Sequence, residues 1–141
     1  MTVYLSAEDV FAVAEAASGD TPVARDVGLV AEAAYRPTVV HDGADVYPGV
    51  VEKAAALLQS LAVGNAFVGD RHRTAWLSCV TFLALNAVRL RPDAAAAERL
   101  VTAVADGETY DVEVIAAALR ELIVPDAEGV PPDRGVRFPA T

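Results

Sequence analysis

Positively charged residues are scarce in this chain. Lys and Arg together number 11 against 20 Asp and Glu, which gives a formal net charge of −9 at pH 7. Proteins that bind DNA or RNA displace counterions from phosphates with clustered Lys and Arg side chains. The composition therefore disfavours direct nucleic-acid binding, whereas a basic protein partner or a small ligand held by a few arginines is compatible with it.

Cysteine and long apolar runs are almost absent too. Cys79 is the single cysteine, so no intramolecular disulfide can form, which suits a reducing cytoplasm. It has no His or Cys partner at ligand spacing, and we expect no metal site of the zinc type. No stretch reaches the roughly 18 uninterrupted apolar residues that suggest a membrane span, and the first residues do not resemble a signal peptide. We therefore expect a cytoplasmic protein that has no contact with a membrane.

Aromatic residues are few, at 6%, although 54% of the chain is hydrophobic. Much of this apolar content is Ala and Val, which favours a helical interior over an aromatic-rich β core. Apolar positions recur at helical spacing in six segments separated by Gly, Pro and Asp–Gly. We expect an all-α fold, a compact bundle. The predicted helices cover about residues 7–17, 26–36, 48–64, 73–88, 93–105 and 112–123.

Two further segments are not helical in pattern. Residues 38–47, TVVHDGADVY, contain an Asp–Gly turn signal and predict a flexible flap or a short hairpin. After Val124 the chain holds four of its eight prolines and few residues that could be buried. We divide the chain into a domain of residues 1–124 and a Pro-rich, loosely ordered C-terminal tail of residues 125–141.

A polar loop lies between the third and fourth predicted helices. The third helix ends at Gly64, and the next begins near Asp70 to Arg73. A helix N-terminus presents unpaired amides and a partial positive charge, so it can bind an anion. Arg71, Arg73 and Thr74 are candidate anion- or substrate-binding residues, because Arg binds phosphate and carboxylate through two parallel hydrogen bonds. The alternative for the arginines is a salt bridge to one of the many acidic residues.

Several segments, taken in order, resemble the Fic fold and, within it, the death-on-curing (Doc) toxins. They lie within residues 1–123 and read VYLSAEDV, RDVGLVAEAAYRP, VYPGVVEKAAALLQSLA and NAFVGDRHRTAWLSCVTFLALNAVRL. The family's loop usually reads His-x-Phe-x-Asp-Gly-Asn-Lys-Arg, followed by a small or hydroxyl residue. Phe67, Arg73, Thr74 and Ala75 match this pattern. The resemblance implies a Fic/Doc-like helical fold and a bacterial toxin–antitoxin origin.

The resemblance also implies a chemistry. Fic proteins transfer part of a nucleotide to a target hydroxyl, and Doc toxins transfer a phosphoryl group to elongation factor Tu. An antitoxin partner covers the active site. In the family, the loop histidine accepts a proton, the acidic residue holds Mg²⁺ on the phosphates, and the remaining loop residues bind the phosphates.

The loop of this chain departs from that pattern. Asn65 stands at the histidine position and Gly69 at the metal-binding acid, while Asp70, Arg71 and His72 replace the usual Gly-Asn-Lys. An amide cannot take a proton from an attacking hydroxyl, and loss of a general base alone costs about 10²–10⁴-fold in rate. We expect standard transfer to be lost or altered. No cofactor is expected, except a nucleotide with Mg²⁺ if the ancestral activity persists.

Three loop residues are candidates for a replacement chemistry. His72 lies between two arginines, which favour a neutral imidazole that can act as a base. Asp70 can supply an acid one position along from the usual one, and Asn65 can orient a ligand. The alternatives are an exposed first-turn residue for His72, a helix N-cap for Asp70 and a helix-terminal residue for Asn65.

The flap adds three candidates. In the family this segment lies over the substrate site, so His41, Asp42 and Asp45 could approach the loop. The alternative is a solvated turn with no functional role.

Three functions are compatible with these features. The first is a degenerate toxin-family protein that keeps the scaffold and an anion site. The second is a Fic fold repurposed as an enzyme of bacterial specialised metabolism, with a small-molecule substrate and a rewritten loop. The third is a non-catalytic module that binds an antitoxin-like protein or a translation factor.

Overall fold

A computed structural model describes residues 1–64, 66–69 and 71–125 of the protein. Within them, six α-helices and one two-stranded hairpin confirm the predicted mainly helical fold with a short flap. Asn65, Asp70 and residues 126–141, which make up nearly all of the predicted tail, lie outside the described residues. The elements are α1 (Ala7–Ser18), α2 (Val27–Tyr35), a 3₁₀ turn (Arg36–Thr38), β1 (Val40–His41), β2 (Ala44–Asp45), α3 (Val50–Val63), α4 (Arg71–Leu85), α5 (Ala94–Ala105) and α6 (Val112–Leu122).

The ends of the helices are encoded locally. Ser6 and Asp9 form a capping box at α1, with the Asp9 amide donating to the Ser6 hydroxyl at 3.1 Å and the Ser6 amide donating to the Asp9 carboxylate at 2.8 Å. Aspartate caps the N-termini of three further helices, at Asp26, Asp93 and Asp111. Each side chain accepts a hydrogen bond from an amide that the helix itself leaves unpaired.

Helix α3 forms the centre of the bundle. It packs against α2, α4, α5 and α6, and every residue from Lys53 to Gln59 is buried. A helix that is buried on all sides needs small side chains where its neighbours approach, and the alanines at 54–56 provide them. Helix α4 packs against α1, α3 and α5, so α3 and α4 carry the loop that joins them on a rigid support.

Two predicted helix ends are wrong. Pro48 was expected as the first residue of α3, but the helix begins at Val50 with Gly49 as its extended N-cap. Helix α4 begins at Arg71, within the predicted range of Asp70 to Arg73, but it ends at Leu85 rather than near Val88. None of the helices in the described part of the chain has the length and apolar character that a membrane crossing requires.

Candidate functional site

The loop between α3 and α4 is held in place by a distant segment of the chain. The Arg25 amide donates to the Ala66 carbonyl at 2.8 Å, and the Val68 amide donates to the Val23 carbonyl at 2.9 Å. These bonds form an isolated antiparallel bridge between Ala24 and Phe67. The connection between α1 and α2 therefore fixes the position of the loop relative to the bundle.

Phe67 anchors the middle of this loop in the core. Its side chain is buried, and its ring meets the ring of Phe11 edge to face, with 5.4 Å between centroids and 81° between planes. Such aromatic pairs add about 0.5–1.5 kcal/mol beyond the area they bury. The family motif singled out Phe67, but no signal in the sequence indicated its partner.

Glycine is favoured at both ends of the loop, for a different physical reason at each end. A β-carbon at Gly64 would collide with the Ser60 carbonyl oxygen, so only glycine fits where α3 ends. Gly69 has a φ of +91°, with nothing within 4 Å of where its β-carbon would lie. Backbone strain, rather than lack of space, therefore opposes any side chain at position 69.

The candidate residues at the start of α4 face in different directions. Arg71 is half-buried and Thr74 is 3% exposed, so both face the bundle, three residues apart on the helix. His72 and Arg73 are exposed, and neither forms a hydrogen bond or an ion pair with another described residue. Because Thr74 is buried, its hydroxyl is poorly accessible to a ligand from solvent.

From Arg71 onward, the first turn of α4 carries basic side chains where acidic ones are usual. Acidic side chains stabilise a helix N-terminus and cations destabilise it, because the free amides carry a partial positive charge. The first turn of α4, as described from Arg71 onward, holds Arg71, His72 and Arg73 and no acidic residue. A bound anion would relieve this accumulation of positive charge.

The flap is a hairpin whose turn is exposed to solvent. Strand β1 pairs antiparallel with β2, with Val40 opposite Asp45 and His41 opposite Ala44. Asp42 and Gly43 have φ values of 51° and 78°, as a two-residue hairpin turn requires. His41 Nε2 lies 3.4 Å from Asp42 Oδ2, and both side chains are exposed.

Asp45 has a buried partner that the sequence did not indicate. Its carboxylate accepts a hydrogen bond from Lys53 Nζ at 3.0 Å, and the same ammonium donates to the Tyr47 carbonyl. The Lys53 side chain is 1% exposed, whereas that of Asp45 is 46% exposed. Asp45 thus joins the hairpin to α3, and none of the three flap candidates pairs with His72 or Arg73.

Neither metal ligands nor a reactive thiol are found in the described part of the chain. Across residues 1–64, 66–69 and 71–125, no group of three His, Cys, Asp or Glu side chains could hold a metal ion. Cys79 is buried in α4, and burial raises the pKa of its thiol to about 12. Cys79 is therefore a small core residue, as its place on an apolar helix predicts.

The comparison with known proteins identifies the family. No family model matches the chain. A protein named Toxin Doc from Mycolicibacterium smegmatis (strain ATCC 700084 / mc(2)155) is 44% identical to it over 121 residues. The aligned region covers 84% of this chain and 92% of that protein. This chain belongs to the Doc toxin family.

Proposed function

We propose that this Doc-family protein binds a phosphate-bearing ligand at the start of α4 and has lost or altered the standard transfer reaction. The proposal depends on one observation above all. Position 69, where the family motif has its metal-binding acid, is a glycine with φ of +91°. The loop is thus built around a backbone conformation that an acidic residue adopts only at a cost.

The anion site is supported by the charges on the first turn of α4. Arg71, His72 and Arg73 lie in the first turn of the helix, where backbone amides lack partners within the helix, and no acidic side chain follows Asp70 in this turn. Arg73 matches the phosphate-binding arginine of the family motif and is exposed, so it is accessible to a ligand. A phosphate group would bind both the amides and the guanidinium.

Loss of proton transfer is supported by the surroundings of His72. A general base works when its imidazole is oriented by a neighbouring group and lies within hydrogen-bonding reach of the reacting hydroxyl. His72 is exposed and has no such neighbour among the described residues. With Asn65 at the histidine position, the family's base has no evident replacement.

Membership of the toxin family suggests two protein partners. An antitoxin would cover the loop and the start of α4, and elongation factor Tu would be the target if any transfer remains. The net charge of −9 suits a partner with a basic surface.

Calorimetry and a transfer assay test this function together. We would titrate ATP and inorganic phosphate into the protein with and without Mg²⁺, and in parallel follow label from γ-labelled ATP onto elongation factor Tu. The positive control is a Doc-family protein with an intact His-x-Phe-x-Asp-Gly-Asn-Lys-Arg loop. We expect binding that weakens about tenfold in Arg73→Ala, which removes one charge-assisted contact, and transfer at background level. The exposed Arg99 on α5 provides the matched control, Arg99→Ala, which should bind as the parent does.

Three results would contradict parts of this proposal. Absence of binding to every nucleotide and to phosphate would refute the anion site. Transfer at the rate of the positive control would refute the loss of chemistry. If that transfer disappeared in His72→Asn, the chain would be better described as an enzyme that uses a new base.

A further inference from the structure

A cavity of about 470 Å³ lies beside the C-terminal end of α3. It is bounded by α2 and the 3₁₀ turn on one side and by the residues before α6 on the other. Its volume falls in the range of about 300–1,000 Å³ that is usual for small-molecule sites. Gly64 lines the cavity, but Phe67, Arg71 and Arg73 do not, so the cavity adjoins the loop and is separate from the start of α4.

Among the described residues, Arg36 is the only basic one that lines this cavity, and several contacts hold its side chain in place. Its Nε donates to the Tyr47 hydroxyl at 3.2 Å, and its Nη1 donates to the Ser60 hydroxyl at 3.0 Å and to the Ala56 carbonyl at 3.4 Å. The guanidinium carbon also lies 5.6 Å from the centre of the Tyr47 ring. The side chain therefore enters any binding event already ordered.

Part of this guanidinium is still available. A guanidinium carries five N–H groups, and the three hydrogen bonds described above use Nε and Nη1. The Nη2 group has no hydrogen-bond partner among the described residues. A half-buried arginine with a fixed orientation and a remaining pair of donors is suited to an anionic oxygen.

The other residues that line the cavity restrict the kind of ligand that can carry this anionic group. The walls are largely apolar, and two exposed tyrosine rings stand at the rim, Tyr35 and Tyr110. Glu32 also lines the cavity, and its negative charge opposes a ligand that carries several charges. The surroundings thus favour a ligand that carries a single negative charge on an apolar body, and the two tyrosine rings favour an aromatic one.

We propose that this cavity binds a small aromatic monocarboxylate, with the carboxylate on Arg36 Nη2 and the ring against the apolar walls. The site is independent of the phosphate site proposed at α4. It would remain if that proposal failed, because the two sites share none of the described residues.

A nuclear magnetic resonance titration with benzoate tests the proposal. Benzamide, which has the same shape without the charge, is the control ligand. Benzoate should shift the backbone amide signals of Tyr35, Val63 and Gly64 in a saturable manner. Benzamide should bind about tenfold more weakly, because it cannot form the charge-assisted bond to Arg36.

Single substitutions on the cavity wall and away from it locate the site. Val63→Glu places a negative charge on an exposed residue of the cavity wall and should weaken benzoate binding at least about tenfold. Val114→Glu adds the same charge at an exposed valine that does not line the cavity, and binding should be unchanged. Arg36→Lys keeps the positive charge but loses the planar set of donors of the guanidinium, and it should also weaken binding. Equal binding of benzoate and benzamide would overturn the proposal. So would shifts confined to residues 71–74, or no saturable shift up to the solubility limit of benzoate.

Discussion

Substitutions of the two partners in the ion pair between the hairpin and α3 should lower the stability of the protein by different amounts. Lys53 is 1% exposed and Asp45 is 46% exposed, so the two charges differ greatly in their access to water. Removing the carboxylate leaves a buried ammonium with only the Tyr47 carbonyl for a partner. Removing the ammonium leaves a carboxylate that water can solvate. We therefore expect Asp45→Asn to destabilise the protein more than Lys53→Met does.

The magnitudes follow from burial. Removing one partner of a fully buried ion pair costs about 3–5 kcal/mol. Here the exposed carboxylate is screened by solvent, and asparagine retains an acceptor, so we expect about 1–2 kcal/mol for Asp45→Asn. Methionine fills much of the volume of lysine and removes a charge from the interior. Its cost is then mainly the lost bond to the Tyr47 carbonyl, about 0.5–1 kcal/mol.

Urea denaturation followed by circular dichroism measures both losses. Asp42→Asn is the matched control, since it removes a hairpin carboxylate whose only ion pair with a described residue is the exposed one with His41. It should change the free energy of unfolding by less than about 0.5 kcal/mol. In the double variant of Lys53 and Asp45, the second substitution should add almost nothing to Lys53→Met. A larger loss for Lys53→Met than for Asp45→Asn would refute the reasoning.

Three further changes test the loop and α4. Gly69→Ala should lower the free energy of unfolding by about 1–2 kcal/mol in urea denaturation, because φ of +91° strains any residue with a β-carbon; an unchanged midpoint would contradict this. Burial raises the pKa of Cys79 from 9.0 to about 12, so above pH 9 the unfolded thiol ionises while the folded one keeps its proton. The contribution of Cys79 to stability should then fall between pH 9 and pH 12, by up to about 1.4 kcal/mol per pH unit, and the loss of stability over this range should be smaller in Cys79→Ala. Asn65→His should leave label transfer to elongation factor Tu at background, and recovery of transfer would show that the rest of the loop is competent.

Most of the helical framework could be predicted because its signals are local. The serine and aspartate caps, the Asp–Gly turn and the proline after α2 each act within a few residues of where they stand. The errors lay at helix ends where two signals compete. Pro48 suits the first helical position, but Gly49 adopts the extended conformation of an N-cap, and the helix therefore begins two residues later, at Val50.

The buried polar groups could not be predicted in the same way. Lys53 and Gln59 lie on a predicted helix, and polar residues of these types are usually exposed. Their burial depends on partners from other parts of the chain, namely Asp45 and Tyr47 for the lysine and the Tyr110 carbonyl for the glutamine. Arg36 belongs to the same class, since its ordering depends on Tyr47 and Ser60.

The positions at which the loop departs from the family motif depend on one another. Its central residues are fixed by the bridge to Val23–Arg25 and by the contact of Phe67 with Phe11. Because both ends of the loop are anchored in rigid helices, the backbone at Gly69 cannot change freely to suit a new side chain. A returned acid at position 69 would have to strain its own backbone or break the bridge, and a returned histidine at position 65 would still lack the metal-binding acid. Recovery of the family's chemistry should therefore require simultaneous changes at several loop positions, and no single reversion should suffice.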